Sequence, residues 1–120
     1  MLKKEIATQL FEHLCTHDWH GYTQGNRWGD GEGTCDITIN GKLYKVEQGD
    51  RDCSSGIISA FESAGISCGG ATYTGNMREK MCSTGNFVWH PMSTGFVAKR
   101  GDIYLNEANH TALCLSLIHI

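Results

Sequence analysis

The stretch GDRDCSSGIISAFESAG, residues 49–65, decides the fold. Ile57, Phe61 and Ala64 recur on one helical stripe, with Ile58 and Ala60 beside it, so the spacing predicts a helix over residues 53–64. Asp52 stands where an N-cap belongs, and Gly65 where a helix ends in a left-handed residue. Cys53 therefore falls in the first turn, where unpaired backbone N–H groups and the helix dipole favour a negative charge. A cysteine so placed is biased towards its thiolate, and the same N–H groups can hold a developing oxyanion. A buried cysteine that merely starts a helix would read the same way locally.

Upstream, Ile6, Leu10 and Leu14 recur at i, i+4, i+8 beside Ala7 and Phe11, and predict an amphipathic helix over residues 2–15. TCDITINGKLYKVEQ, residues 34–48, reads as a hairpin turning at Asn40-Gly41. Pairing Ile39 with Lys42 sets Ile37 opposite Tyr44 and Cys35 opposite Val46, which leaves one mainly apolar face. Downstream, a short helix begins at Thr74, read as its cap, and ends by Gly85, with Met77 and Met81 facing one way. NFVWHPM, residues 86–92, reads as an extended piece or short strand stopped at Pro91. GDIYLNE and HTALCL read as two strands joined by a tight turn at residues 107–109. No repeat appears, and the 120 residues make one α+β domain with a single modest core.

A net charge of −3 without any basic run leaves no nucleic-acid footprint. No apolar stretch is long enough to span a bilayer, which argues against membrane insertion. Glu5, Thr8, Gln9 and Glu12 interrupt any signal-like segment, so synthesis in the cytoplasm without a cleaved signal is expected. The six cysteines (Cys15, Cys35, Cys53, Cys68, Cys82 and Cys114) are scattered, with no CxxC pair, and fit a reduced compartment better than a disulfide framework.

A thiolate nucleophile needs an imidazole partner. His13 and His17 lie at i, i+4 on the first helix, but no further ligand with zinc-site spacing joins them. His20 and His90 fall in irregular stretches, the latter between Trp89 and Pro91. His110 begins a strand directly after a turn, with Ala112 and Cys114 expected on its own face and the Cys53 helix as the expected neighbour of that face. The long aperiodic segment of residues 17–33 carries Trp19, Tyr22 and Trp28, a composition suited to a substrate wall.

These residues carry a family resemblance. DCSSGIISAFESAG resembles the nucleophile segment of the NlpC-type papain-like cysteine peptidases, where Asp-Cys-Ser-Ser opens a helix packed on a small antiparallel sheet. RGDIYLNEANHTALCL is similar to that family's histidine strand. GYTQGNRWGDG resembles the Tyr and Arg-Trp-Gly loop of its bacteriophage peptidoglycan amidohydrolase (endolysin) branch. The resemblance implies Cys53 as nucleophile and His110 as general base and acid. Tyr22 and Trp28 would line the substrate site, while Asp52 and Ser54 would shape the nucleophile turn and groove. It implies no metal and no cofactor. The implied substrate is bacterial peptidoglycan, cut at the amide next to muramic acid or within the stem peptide, by a monomer released from the host cytoplasm onto the wall.

The family places a third polar residue on the strand after the histidine, and the chain ends before it. LSLIHI, residues 115–120, resembles a translated sequencing adapter, so residues 1–114 are expected to be a truncated catalytic domain and 115–120 a non-native tail. A weakly active or inactive fragment is the corresponding expectation. Alternatives are a papain-like acyltransferase or transglutaminase, a non-catalytic wall-binding phage module, and a zinc site built from the histidines and cysteines.

Overall fold

The computed structural model describes residues 2–16, 27–28, 34–47, 49, 51–108 and 110–115. In chain order the elements are α1 (Lys3–Thr16), β1 (Thr34–Ile39), β2 (Lys42–Glu47), α2 (Cys53–Ser63), α3 (Thr74–Ser83), β3 (Ile103–Asn106) and β4 (His110–Leu113), with a single 3-10 turn at Met92–Thr94. The α+β class read from the sequence holds. The described strands form two separate two-stranded antiparallel sheets, β1–β2 and β3–β4, matching the two hairpins read from the sequence, where the family resemblance implied one small sheet. Helix α2 packs against α1 and against one strand of each hairpin, β2 and β4, so it is the hub of the molecule.

The first hairpin has the register expected from its sequence: Ile39 faces Lys42, Ile37 faces Tyr44 and Cys35 faces Val46. Its turn needs two left-handed residues, and Asn40 (φ 52°) and Gly41 (φ 78°) supply them, the two residue types that tolerate this conformation most readily. Alternation then buries Cys35, Ile37 and Ile39 together with Val46.

Leu10, Ala7 and Thr8 of α1 and Ile57 and Ala60 of α2 are all fully buried. The two helices meet closely because Gly56 has no side chain: a Cβ there would lie 3.3 Å from the Phe11 ring. Thr8 sits in this apolar contact at little cost because its hydroxyl donates to the Lys4 carbonyl at 2.8 Å. Met77 and Met81 of α3 and Leu113 of β4 complete the core.

Helix α3 begins at Thr74, as expected, but its cap differs. Tyr73 is the N-cap, and Asn76 Oδ1 accepts from the Thr72 and Tyr73 N–H groups at 2.9 and 3.2 Å. Residues 87–91 form neither helix nor strand, and the chain turns after Pro91, whose carbonyl accepts from Thr94 N–H at 3.1 Å.

The turn before β3 is tied to α1 by charge. The Arg100 guanidinium donates from Nε and Nη2 to the two carboxylate oxygens of Glu5 at 2.8 and 3.0 Å, and also to Glu12. The neighbouring Asp102 pairs with Lys4. These contacts, two-pronged at Arg100–Glu5, hold the β3–β4 hairpin against the helix that flanks α2.

Candidate functional site

The N-terminus of α2 is built as a closed hydrogen-bond box. Asp52 Oδ1 accepts from the Ser55 backbone N–H at 2.9 Å, while Ser55 Oγ accepts from the Asp52 N–H at 2.9 Å. Ser54 Oγ lies 3.3 Å from the same carboxylate oxygen. The Asp-Cys-Ser-Ser run thus folds locally into a helix start with Cys53 as its first residue. Cys53 is half-buried, between the capping Asp52 and the buried Ser54.

Arg27 locks this box from a part of the chain far away in sequence. Its Nε lies 2.9 Å from Asp52 Oδ2, and its Nη2 donates to Ser54 Oγ at 2.7 Å and to the Thr72 carbonyl. One guanidinium therefore joins the loop of residues 27–28, the start of α2 and the entry to α3. It also neutralises the carboxylate next to Cys53. Burial works to raise the Asp52 pKa, but the two Ser55 hydrogen bonds and the Arg27 contact outweigh it and hold the carboxyl below its ordinary 3.8. The Arg27 guanidinium carbon lies 5.2 Å from the Trp28 ring centroid, so the ion pair sets Trp28, 43% exposed, close to this end of α2.

The residues singled out in the sequence therefore separate. Asp52, Cys53 and Trp28 are gathered at one end of α2. Ser54, expected to shape a substrate groove, is 2% exposed and serves the cap. Tyr22, with Trp19, His17, His20 and His119, lies outside the described residues. His110 opens β4, the strand packed on α2, but its side chain does not follow the expected direction. In β3–β4 the core-facing row is Ile103, Leu105, Thr111 and Leu113, whereas His110 and Ala112 lie on the exposed face. Cys114 is buried, not on the His110 face, because the chain leaves the strand after Leu113 and Cys114 N–H donates to the Asp102 carbonyl at 2.8 Å. No hydrogen bond joins Cys53 and His110 among the described residues.

His110 lines a shallow cavity of about 300 Å³ together with Asn106, Tyr104, Trp89 and Phe96. A second cavity of about 300 Å³ lies between α3, the 86–96 segment and β3, and shares Trp89 and Phe96 as its wall. The sequence offered no period by which to connect residues 86–96 with a site. The role of Arg27 was equally hidden, because nothing local pairs a loop arginine with a cap 25 residues later; the Arg-Trp-Gly run was the only signal.

Cys68 differs from Cys53 in setting. Burial, with the Glu62 carboxylate nearby, pushes the Cys68 thiol up to about 12. Among the described residues no group of three His, Cys, Asp or Glu side chains is placed to hold a metal ion, and no helix is long and apolar enough to cross a membrane.

The cap has a pH signature. Asp52 is depressed when folded, so its contribution to stability is complete above its unfolded value near 3.8 and is lost as pH falls through the lower folded value. Asp52→Asn should lower stability at pH 7 by roughly 1–3 kcal/mol, because it leaves the Arg27 charge unpaired in a largely buried place. It should also flatten the fall in stability below pH 4. Glu5, held below its ordinary value by the Arg100 hydrogen bonds, keeps some acid sensitivity in the variant. Urea midpoints for both proteins at neutral and acid pH check this, and parallel pH curves would rule out the cap as an acid-sensitive element.

No curated protein and no solved structure matches the chain. A family model, the endolysin-like domain, matches residues 1–117. With nearly its whole length covered, an α+β fold and a braced helix start at its hub, the chain belongs to the endolysin-like domain family.

Proposed function

We propose that this domain is the catalytic part of a phage or prophage endolysin, an NlpC-type papain-like cysteine amidohydrolase that cuts an amide or peptide bond of bacterial peptidoglycan. The observation that carries the reading is the position of Cys53: half-exposed, first in α2, with the adjacent carboxylate neutralised by Arg27. Family membership supports a wall-lytic role in general. Cys53 Sγ attacks the amide carbon, and the first-turn N–H groups of α2 hold the resulting oxyanion. The C–N bond breaks as an imidazole gives its proton to the leaving amine. Water, activated by the same imidazole, then splits the thioester and frees the acid. Trp28 walls the acceptor side, and Tyr22 is the proposed further contact to substrate. The enzyme would gather in the host cytoplasm before lysis.

His110 is the imidazole assigned by this reading. Its strand packs on α2, but its side chain starts from the exposed face, so a dyad with Cys53 requires the ring to reach round the edge of β4. That same orientation favours a second reading, a wall-binding module without catalysis. A pH profile of Cys53 alkylation, mapped by peptide mass spectrometry, separates the two. The hydrolase reading expects rapid modification of Cys53 near neutral pH, slowed or shifted by His110→Ala. Cys68 serves as an internal control that stays unmodified. An ordinary, slow thiol at Cys53 in both proteins would put the binding module first.

A further inference from the structure

Five large apolar residues stay exposed around residues 88–104: Val88, Trp89, Phe96, Val97 and Tyr104. Such a cluster on a small domain marks a surface with a ligand. Trp89 and Phe96 are its centre: they form the wall shared by the two cavities, one of which is a depression between α3, the 86–96 segment and β3. Their planes are set before any ligand arrives. The His90 ring stacks on Phe96 with centroids 4.0 Å apart and planes 4° from parallel, which fixes the Phe96 ring and leaves its other face for a ligand. The Arg78 guanidinium lies 5.0 Å from the Trp89 centroid and is itself held by Glu107 at 3.1 Å. Rigid aromatic faces bind with little loss of side-chain freedom.

The chemistry of the depression selects a neutral ligand. Its floor is apolar, made by Phe61, Met77 and Met81, while Asn86 brings an uncharged amide to the lining. The charged groups near it are paired with one another, Lys4 with Asp102 and Arg78 with Glu107. An ionic stem peptide would find no unmatched charge there. A pyranose has a flat C–H face for the aromatic wall and polar edges for the rim, and an acetamido methyl suits the apolar floor.

We propose that this depression is a saccharide subsite that takes an N-acetylhexosamine unit of the glycan strand, with Trp89 and Phe96 as its stacking surface. The proposal rests on the wall-hydrolase reading for the choice of polymer. Asn106 and His110 line the neighbouring cavity, which shares the Trp89 and Phe96 wall.

The test is titration calorimetry of the full chain with the tetramer of β-1,4-linked N-acetylglucosamine, which is uncharged and lacks a stem. Saturable binding is expected, weakened by about tenfold or more in Trp89→Ala and Phe96→Ala, as for loss of a stacked aromatic anchor. Trp89→Phe should retain most of the affinity, which separates stacking from a general structural loss. Far-UV circular dichroism checks that the variants fold. The absence of saturable binding by the wild-type chain, equal affinity in the alanine variants, or displacement of the tetramer by a free stem peptide would each overturn the subsite. Wall hydrolysis is scored separately. Saccharide binding without hydrolysis keeps the subsite and removes the hydrolase, and hydrolysis without saccharide binding does the reverse.

Discussion

On the proposed thiol mechanism, Cys53→Ser should lower wall-lytic activity by at least about 10³-fold while leaving the fold intact, the loss expected when a nucleophile is removed. The substitution exchanges one atom. Serine is at home at the start of a helix, and Cys53 is half-exposed and not part of the apolar core, so little packing is lost. The box of Asp52, Ser55 and Arg27 does not involve the thiol and should survive. What disappears is the sulfur nucleophile, for which a serine hydroxyl is a poor substitute. Cys68→Ser is the informative contrast. Cys68 is fully buried, with its thiol pushed up to about 12, so its loss should reduce stability and leave activity per folded molecule unchanged. Turbidity clearance of purified walls, beside a thermal melt of each variant, reads both quantities. Retention of full activity by Cys53→Ser would exclude a thiol mechanism.

The second large effect is on stability. Gly69→Ala should destabilise the domain by roughly 2–4 kcal/mol, whereas Gly70→Ala should cost only about 1–2 kcal/mol. Both glycines have positive φ, 68° and 86°, so an alanine at either carries the ordinary penalty of the left-handed region. They differ in what surrounds them. A Cβ on Gly69 would stand 2.2 Å from the Lys80 carbonyl oxygen and 2.9 Å from Thr84 Cγ2, while one on Gly70 meets nothing within 4 Å. The Lys80 oxygen is backbone of α3, so the chain itself must move, and with it the helix that carries Met77 and Met81 into the core. Denaturant midpoints of the two variants check the difference. Equal losses would mean that α3 yields freely and that the tight approach at Gly69 has no energetic weight.

Much of this molecule is determined by short-range pattern. Asn40-Gly41 can adopt the double left-handed turn, and once it does, alternation settles the register and buries Cys35, Ile37 and Ile39. Asp52, Ser55 and Gly65 mark both ends of α2 because capping is chemistry between near neighbours. The position of Cys53 in the first turn follows from that, and so the candidate nucleophile was legible without any coordinates. Helix α1 was legible for the same reason: its apolar stripe recurs at helical spacing, and Ile6, Leu10 and Leu14 are all buried.

Tertiary structure decided everything that depends on partners remote in the chain. His110 begins its strand as the sequence implied, yet which of its two faces meets the core depends on how β3–β4 docks, and Leu113 with Ile103 won that contest. A strand offers only two faces, and burying a leucine and an isoleucine gains more than burying an imidazole and an alanine. Arg27 reaches Asp52, Ser54 and Thr72 across gaps of 25 to 45 residues, a bridge that no local spacing encodes. The aromatic wall of Trp89 and Phe96 is likewise created by a chain reversal after Pro91, in a segment with no period to read. Local backbone chemistry was enough to place the cysteine on its helix. The arginine that braces that helix, the face shown by the histidine and the depression beside it arise from packing between distant segments, whose energies are settled only when the whole core closes.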